Sequence, residues 1–121
     1  MPRVTITPRT VALGAFPVLP VVAGSLDLIW LAADAANKEQ AKWTGKEIIL
    51  AWNGGAVSRT ITVTSVAIRG RTGDVTAYSI AAATISILPL PLVGFVQSVG
   101  GYLFFEASHA DVLFAVLKIA D

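Results

Sequence analysis

A chain of 121 residues is the size of one domain, and its formal charge of +1 excludes a nucleic-acid binder built on a concentrated basic face. Hydrophobic residues make up 55% and charged residues 14%, against roughly 45–50% and 25% in ordinary soluble domains. That surplus exceeds what a small core hides, so another protein subunit is its expected cover, and with no cysteine neither a disulfide framework nor a thiolate metal site can be built.

Residues 1–24 carry Pro2, Pro8, Pro17 and Pro20 among small apolar residues, which predicts an extended arm of the kind that lies along a neighbour. Within it, Arg3 to Thr7 alternates as an edge strand does. The start, Met-Pro-Arg-Val-Thr, lacks the layout of a secretory leader, so the expected place of synthesis is the cytoplasm without export. Residues 25–121 are expected to form the folded β domain. Leu26 to Leu31 reads as a strand, and the polar stretch from Ala32 to Lys46 reads as a long loop with at most one helical turn. Glu47 to Trp52 is a strand closed by the tight-turn signal Asn53-Gly54-Gly55.

Arg59 to Val66 alternates strictly, with Ile61 and Val63 on one face and the threonines on the other. Gly70 to Asp74 is a turn, and Val75 to Ile80 and Thr84 to Leu88 are the next strands. Gly101 to Ala107 and Val112 to Ile119 complete the pattern around a turn at Ser108-His109-Ala110-Asp111. Seven or eight short strands without an amphipathic helix predict an all-β protein. The expected architecture is a single antiparallel β-sandwich or jelly-roll-like barrel with the Pro-rich arm at its N-terminus.

From Val75 to Phe105 no charged residue occurs. A membrane-spanning helix needs roughly 20 predominantly apolar residues with an unbroken backbone ladder. Pro89 and Pro91 stop any helix near Leu88, and Ile80 to Leu88 is too short to span. A small membrane-associated protein using residues 80–96 is therefore the weaker alternative, and no membrane partner is expected.

Residues that could carry chemistry are few. Ser108, His109 and Asp111 are near-neighbours in a turn, where a hydrolase triad rarely converges; capping of main-chain amides is the expected role. One histidine does not make a metal site. The run Arg69-Gly-Arg-Thr-Gly-Asp74 lacks the Walker lysine and a following helix, so it reads as a hairpin turn. No enzyme activity, cofactor or metal is expected. Trp30 and Trp52 lie on strands and are expected in the core, whereas Trp43, in the charged loop, is the better exposed contact. Candidate partner contacts are thus Trp43, the close basic pair Arg69 and Arg71, and the apolar crossing Pro89, Leu90, Pro91 and Leu92. A sugar-binding platform would need more amide and carboxylate side chains than the chain has.

Thr44-Gly-Lys-Glu-Ile-Ile-Leu-Ala-Trp-Asn53, Thr60 to Val66 and Gly70-Arg-Thr-Gly-Asp-Val-Thr-Ala-Tyr-Ser-Ile80 resemble a group of small tailed-bacteriophage and prophage proteins. The opening Pro-Arg-Val-Thr-Ile-Thr-Pro8, the segment Gly100 to Ser108 and Val112 to Ile119 fit the same pattern. The resemblance covers most of the chain, and the Gly-Arg-Thr-Gly-Asp block is its most specific part. Ala81 to Thr84 and Leu88 to Val93 depart from it, being more apolar than in similar proteins. The resemblance implies a virion structural protein, a decoration (cement) protein of the icosahedral head. It further implies the major capsid protein as partner, a homo-oligomer with a trimer favoured, and a place on the capsid exterior. A component of the head–tail joint or tail is the close variant.

Overall fold

The computed structural model describes residues 3–11, 28–66, 73–88, 94–97 and 100–119. Among them there is no helix, and ten strands form two mixed sheets consistent with a β-sandwich. In order across the first sheet lie β1 (Val4–Thr5), β4 (Glu39–Lys42), β9 (Tyr102–Ala107), β6 (Arg59–Thr64) and β7 (Val75–Ile80). The second sheet runs β2 (Arg9–Val11), β10 (Val112–Ile119), β5 (Glu47–Asn53) and β8 (Thr84–Leu88), with β3 (Leu31–Ala32) also paired to β10. No closed barrel forms.

The period-2 patterns explain the layers. Ile61 and Val63 of β6, Leu103, Phe105 and Ala107 of β9, and Ile49 and Ala51 of β5 are buried, while the residues between them are less so. Val112, Phe114 and Val116 bring β10 into the same core. The sheets meet at Phe105 and Phe114, whose rings make an edge-to-face contact with centroids 4.8 Å apart.

Val75–Ile80, Thr84–Leu88 and Val112–Ile119 occupy the bounds their sequence patterns predict. The expected loop at Ala32–Lys46 is corrected. Asp34 accepts the main-chain amides of Ala36 and Asn37 at 3.1 and 3.0 Å, which forms a turn, and β4 follows. Its alternation is hidden because one of its buried residues is a glutamate, Glu39, and the other a small alanine, Ala41. Leu26 and Asp27 lie outside the described residues, and of the rest of that expected strand only Leu31 joins a sheet, in β3 with Ala32.

Purely antiparallel sheets are also corrected. β1 runs parallel to β4 and β2 parallel to β10. Residues 3–11 are extended as expected, but they pair within the chain, one short strand on each sheet. Ile6, between them, is buried in the core, and its amide donates to the Gln40 carbonyl at 2.8 Å. Residues 12–24 of the arm lie outside the described residues.

Asn53-Gly54-Gly55 bends the chain from one sheet to the other. At this end the crossings β5 to β6, β7 to β8 and β9 to β10 meet around Asn53. Its Nδ2 donates to the carbonyls of Val57 at 2.8 Å and Ile80 at 2.9 Å, and its Oδ1 accepts the Gly55 amide at 3.0 Å. The Ala83 amide donates to the Asn53 carbonyl at 2.8 Å and the Gly54 amide to that of Asp111 at 3.0 Å. Asn53 thus ties two corners together, and the neighbouring Gly54 amide ties in the third.

Candidate interaction surface

The register of the second sheet sets which residues face outward. Leu113, Ala115 and Leu117 of β10 pair with Trp52, Leu50 and Ile48 of β5, and Leu50 and Trp52 pair in turn with Ile87 and Ile85 of β8. The intervening residues, among them Ile49, Ala51, Phe114 and Val116, fill the core. Every outward position in this set is apolar. Exposure rises across the sheet: Ala115 is buried, Leu50 is half-buried, Trp52 is 37% exposed, and Ile85 and Ile87 are 53% and 63% exposed. The Trp30 ring stands edge-on to Trp52, centroids 5.8 Å apart, and extends the patch past β5. An open sheet normally turns polar side chains to water on its outer face, so this one is a candidate contact for a partner.

The sequence points to different residues. Trp43 is only 3% exposed and belongs to the core, its amide donating to the Gly101 carbonyl at 3.0 Å. It sits just after β4, whose presence in the supposed loop turns it inward. Trp52, expected in the core, is on the exposed face because β5 points Ala51 and Asn53 inward. Arg69, Arg71, Pro89, Leu90, Pro91 and Leu92 lie outside the described residues. Ile85 and Ile87 were missed. Their signal was the alternation in Thr-Ile-Ser-Ile-Leu, but with apolar residues on both faces of neighbouring β5 only the register distinguishes core from surface.

The remaining polar groups are engaged in holding the frame. Ser108 Oγ accepts the Thr60 amide at 3.0 Å, the capping role expected for it. Asp111 Oδ2 takes the Arg59 guanidinium at 3.0 Å, and His109 Nδ1 accepts the Asp111 amide at 3.0 Å. Asp74 Oδ1 accepts the Ser65 amide at 2.7 Å, joining the residue before β7 to the residue after β6, and its bonds with Ser65 hold its carboxyl below the usual range. Glu39 is different. Its Oε2 accepts the Asp34 amide at 2.5 Å, but Oε1 is buried without a hydrogen-bond partner. Burial raises its carboxyl to about 7, against the opposing pull of the Asp34 amide bond and of Arg3. Arg3 donates to the Glu39 carbonyl at 3.0 Å and stacks over the Phe104 ring at 4.2 Å, which pins the N-terminal strand across β4.

Among the described residues no cluster of three or more acidic or histidine side chains could hold a metal ion, and no helix is long and apolar enough to cross a membrane. Fold and surface together define an all-β sandwich in which the outward positions of β10, β5 and β8 in the second sheet, Leu113 to Leu117, Ile48 to Trp52 and Ile85 to Ile87 alternately, are apolar. No protein-family model matches the chain, and comparison with curated proteins and with solved structures gives no match either.

Proposed function

We propose that the protein is a non-enzymatic structural component of a tailed-phage virion, which binds the assembled icosahedral head and stabilises it from outside. The observation that carries this reading is the outward face of the second sheet, where Leu50, Trp52, Ile85 and Ile87 stand together without a charged neighbour on their face. The sequence resemblance at Thr44–Asn53 and Gly70–Ile80 supports the choice of partner, the major capsid protein. Trp52 is the natural anchor, since large aromatic side chains dominate interface energetics.

The stabilisation is one of linkage: a protein that binds the assembled lattice and not its separated subunits shifts the balance toward the lattice. Burying about 1,000 Å² of apolar area gives roughly 25 kcal/mol gross, most of which association and ordering consume. Repetition over many equivalent sites makes a small surplus per copy sufficient.

The test is co-sedimentation of the purified protein with expanded heads of its own phage that lack it. Binding at many copies per head, with a higher temperature of head disruption, is the expected result, and Trp52→Asp should weaken it by at least about tenfold, as loss of an anchor of 1.4 kcal/mol or more requires. No affinity for heads overturns the reading. Binding in a ring of about six or twelve copies, as point symmetry at a connector dictates, would move the protein to the head–tail joint.

A further inference from the structure

The two sheets have four edges, and three of them are blunted. β1 is two residues long and flanked by Arg3, and β2 and β3 are short strands that share the side of β10 between them. β7 carries a register shift against β6 between Ile61 and Val63, and within it Ala77 has φ of 51° and donates its amide to Thr62 Oγ1. Short strands, nearby charge and bulges are the devices that keep sheet edges from pairing with other chains. β8, with Pro89 only after its last residue, has none of them within its own residues. It is five residues, Thr-Ile-Ser-Ile-Leu, with no charge, proline, glycine or register shift, and its two isoleucines are among the most exposed apolar side chains of the protein.

One side of β8 pairs with β5, and among the described residues no strand pairs with the other. Alternate N–H and C=O groups of β8 therefore point away from the sheet, where only an extended strand can satisfy them in a regular ladder. We propose that β8 pairs antiparallel with β8 of a second copy about a two-fold axis at Ser86, joining the two second sheets into one.

The occupant follows from the strand itself. In the register centred on Ser86, Ile85 faces the partner's Ile87 and the reverse, while Thr84 faces the partner's Leu88. Two apolar cross-strand pairs form on the outward face, with no charge of either sign in the contact. The pairing is isologous, so it closes at two copies and does not propagate into a fibre. The gradient of exposure across the sheet agrees, because water-facing apolar area is greatest at this edge. Five residues of edge cover less than the ~800 Å² per partner of a standard interface, so the free protein is expected in reversible monomer–dimer exchange.

Because the chain contains no cysteine, single substitutions report the register directly. Ile85→Cys and Ile87→Cys are mixed in equal amounts and oxidised mildly. Directly opposite residues lie ~4.5–5.5 Å apart between Cα atoms, within disulfide reach, whereas 85–85 and 87–87 pairs lie on a diagonal beyond ~7 Å. The expected product is the mixed 85–87 dimer, with each variant alone giving little. Sedimentation velocity over a range of concentrations is the second measurement. Ile87→Lys, which changes an exposed side chain and should leave the circular dichroism unchanged, is expected to weaken self-association by about tenfold through loss of both cross-strand pairs. A monomer at every concentration, a trimer, or equal cross-linking in all three combinations overturns the proposal. Neither experiment involves phage heads, so the pairing and the head-binding role succeed or fail separately.

Discussion

Asn53 bonds to two carbonyls from different corners and to the Gly55 amide, without exposure to water. Asn53→Ala removes all three bonds and strands the buried Ile80 carbonyl, and its expected cost is about 2–4 kcal/mol in denaturant unfolding, since a stranded buried group costs more than a lost bond. Glu39 predicts a pH dependence of definite sign. Between its ordinary value of 4.5 and the folded value of about 7, the folded chain keeps a proton that the unfolded chain has lost. This contribution is complete below the lower value and disappears as pH rises through the upper one. Glu39→Gln is expected to remove the slope and to be the more stable protein at pH 8, by on the order of 2–3 kcal/mol; thermal unfolding at pH 5 and pH 8 measures it. Asp34, lowered chiefly by the Asn37 amide, and Asp74, lowered by Ser65, act with the opposite sign. Their contributions are present above the ordinary carboxylate value and are lost as acid titrates them in the folded chain. Sequence position misplaces Trp43 and Trp52 because it weighs a residue by its sequence neighbours. Trp43 follows Lys42 and is buried; Trp52 closes an apolar run and is exposed.

At the level of the strand, a clear alternation was readable and a disguised one was not. Ile61 and Val63 among threonines announce β6, and the turn at Ser108–Asp111 sets the start of β10. β4 was invisible because a buried glutamate and an alanine stand where two large apolar residues would mark a strand. The short N-terminal strands were legible as extended chain, but not as two separate parallel additions, since parallel pairing leaves no hairpin signal. Ile6 is the side chain that makes this crossing cohesive. Ile6→Ala is expected to cost about 2–4 kcal/mol. Hydrogen exchange should show the loss first at the Val4 and Ile6 amides, which donate to Lys38 and Gln40. Uniform loss across both sheets would mean instead that this segment unfolds only with the whole domain.

For the molecule as a whole, all-β class and domain size were written in the composition and turn spacing, while sheet membership was not. The chain changes sheet at nearly every turn, and strands adjacent in sequence, such as β4 and β5 or β9 and β10, end in opposite layers. The candidate surface inherits that difficulty: its residues come from separate strands, and only the pairing of β5 with both β8 and β10 gathers them. The position of β10 has a temporal consequence. It is the neighbour of β2, β3 and β5, all of which leave the ribosome before it. Until residues 112–119 emerge, the second sheet lacks its central member, and the apolar strands already made must wait for a partner more than fifty positions downstream. Such distant closure is slow, so the second sheet stays open until β10 is made, and β10 acts as the clasp that ends the wait.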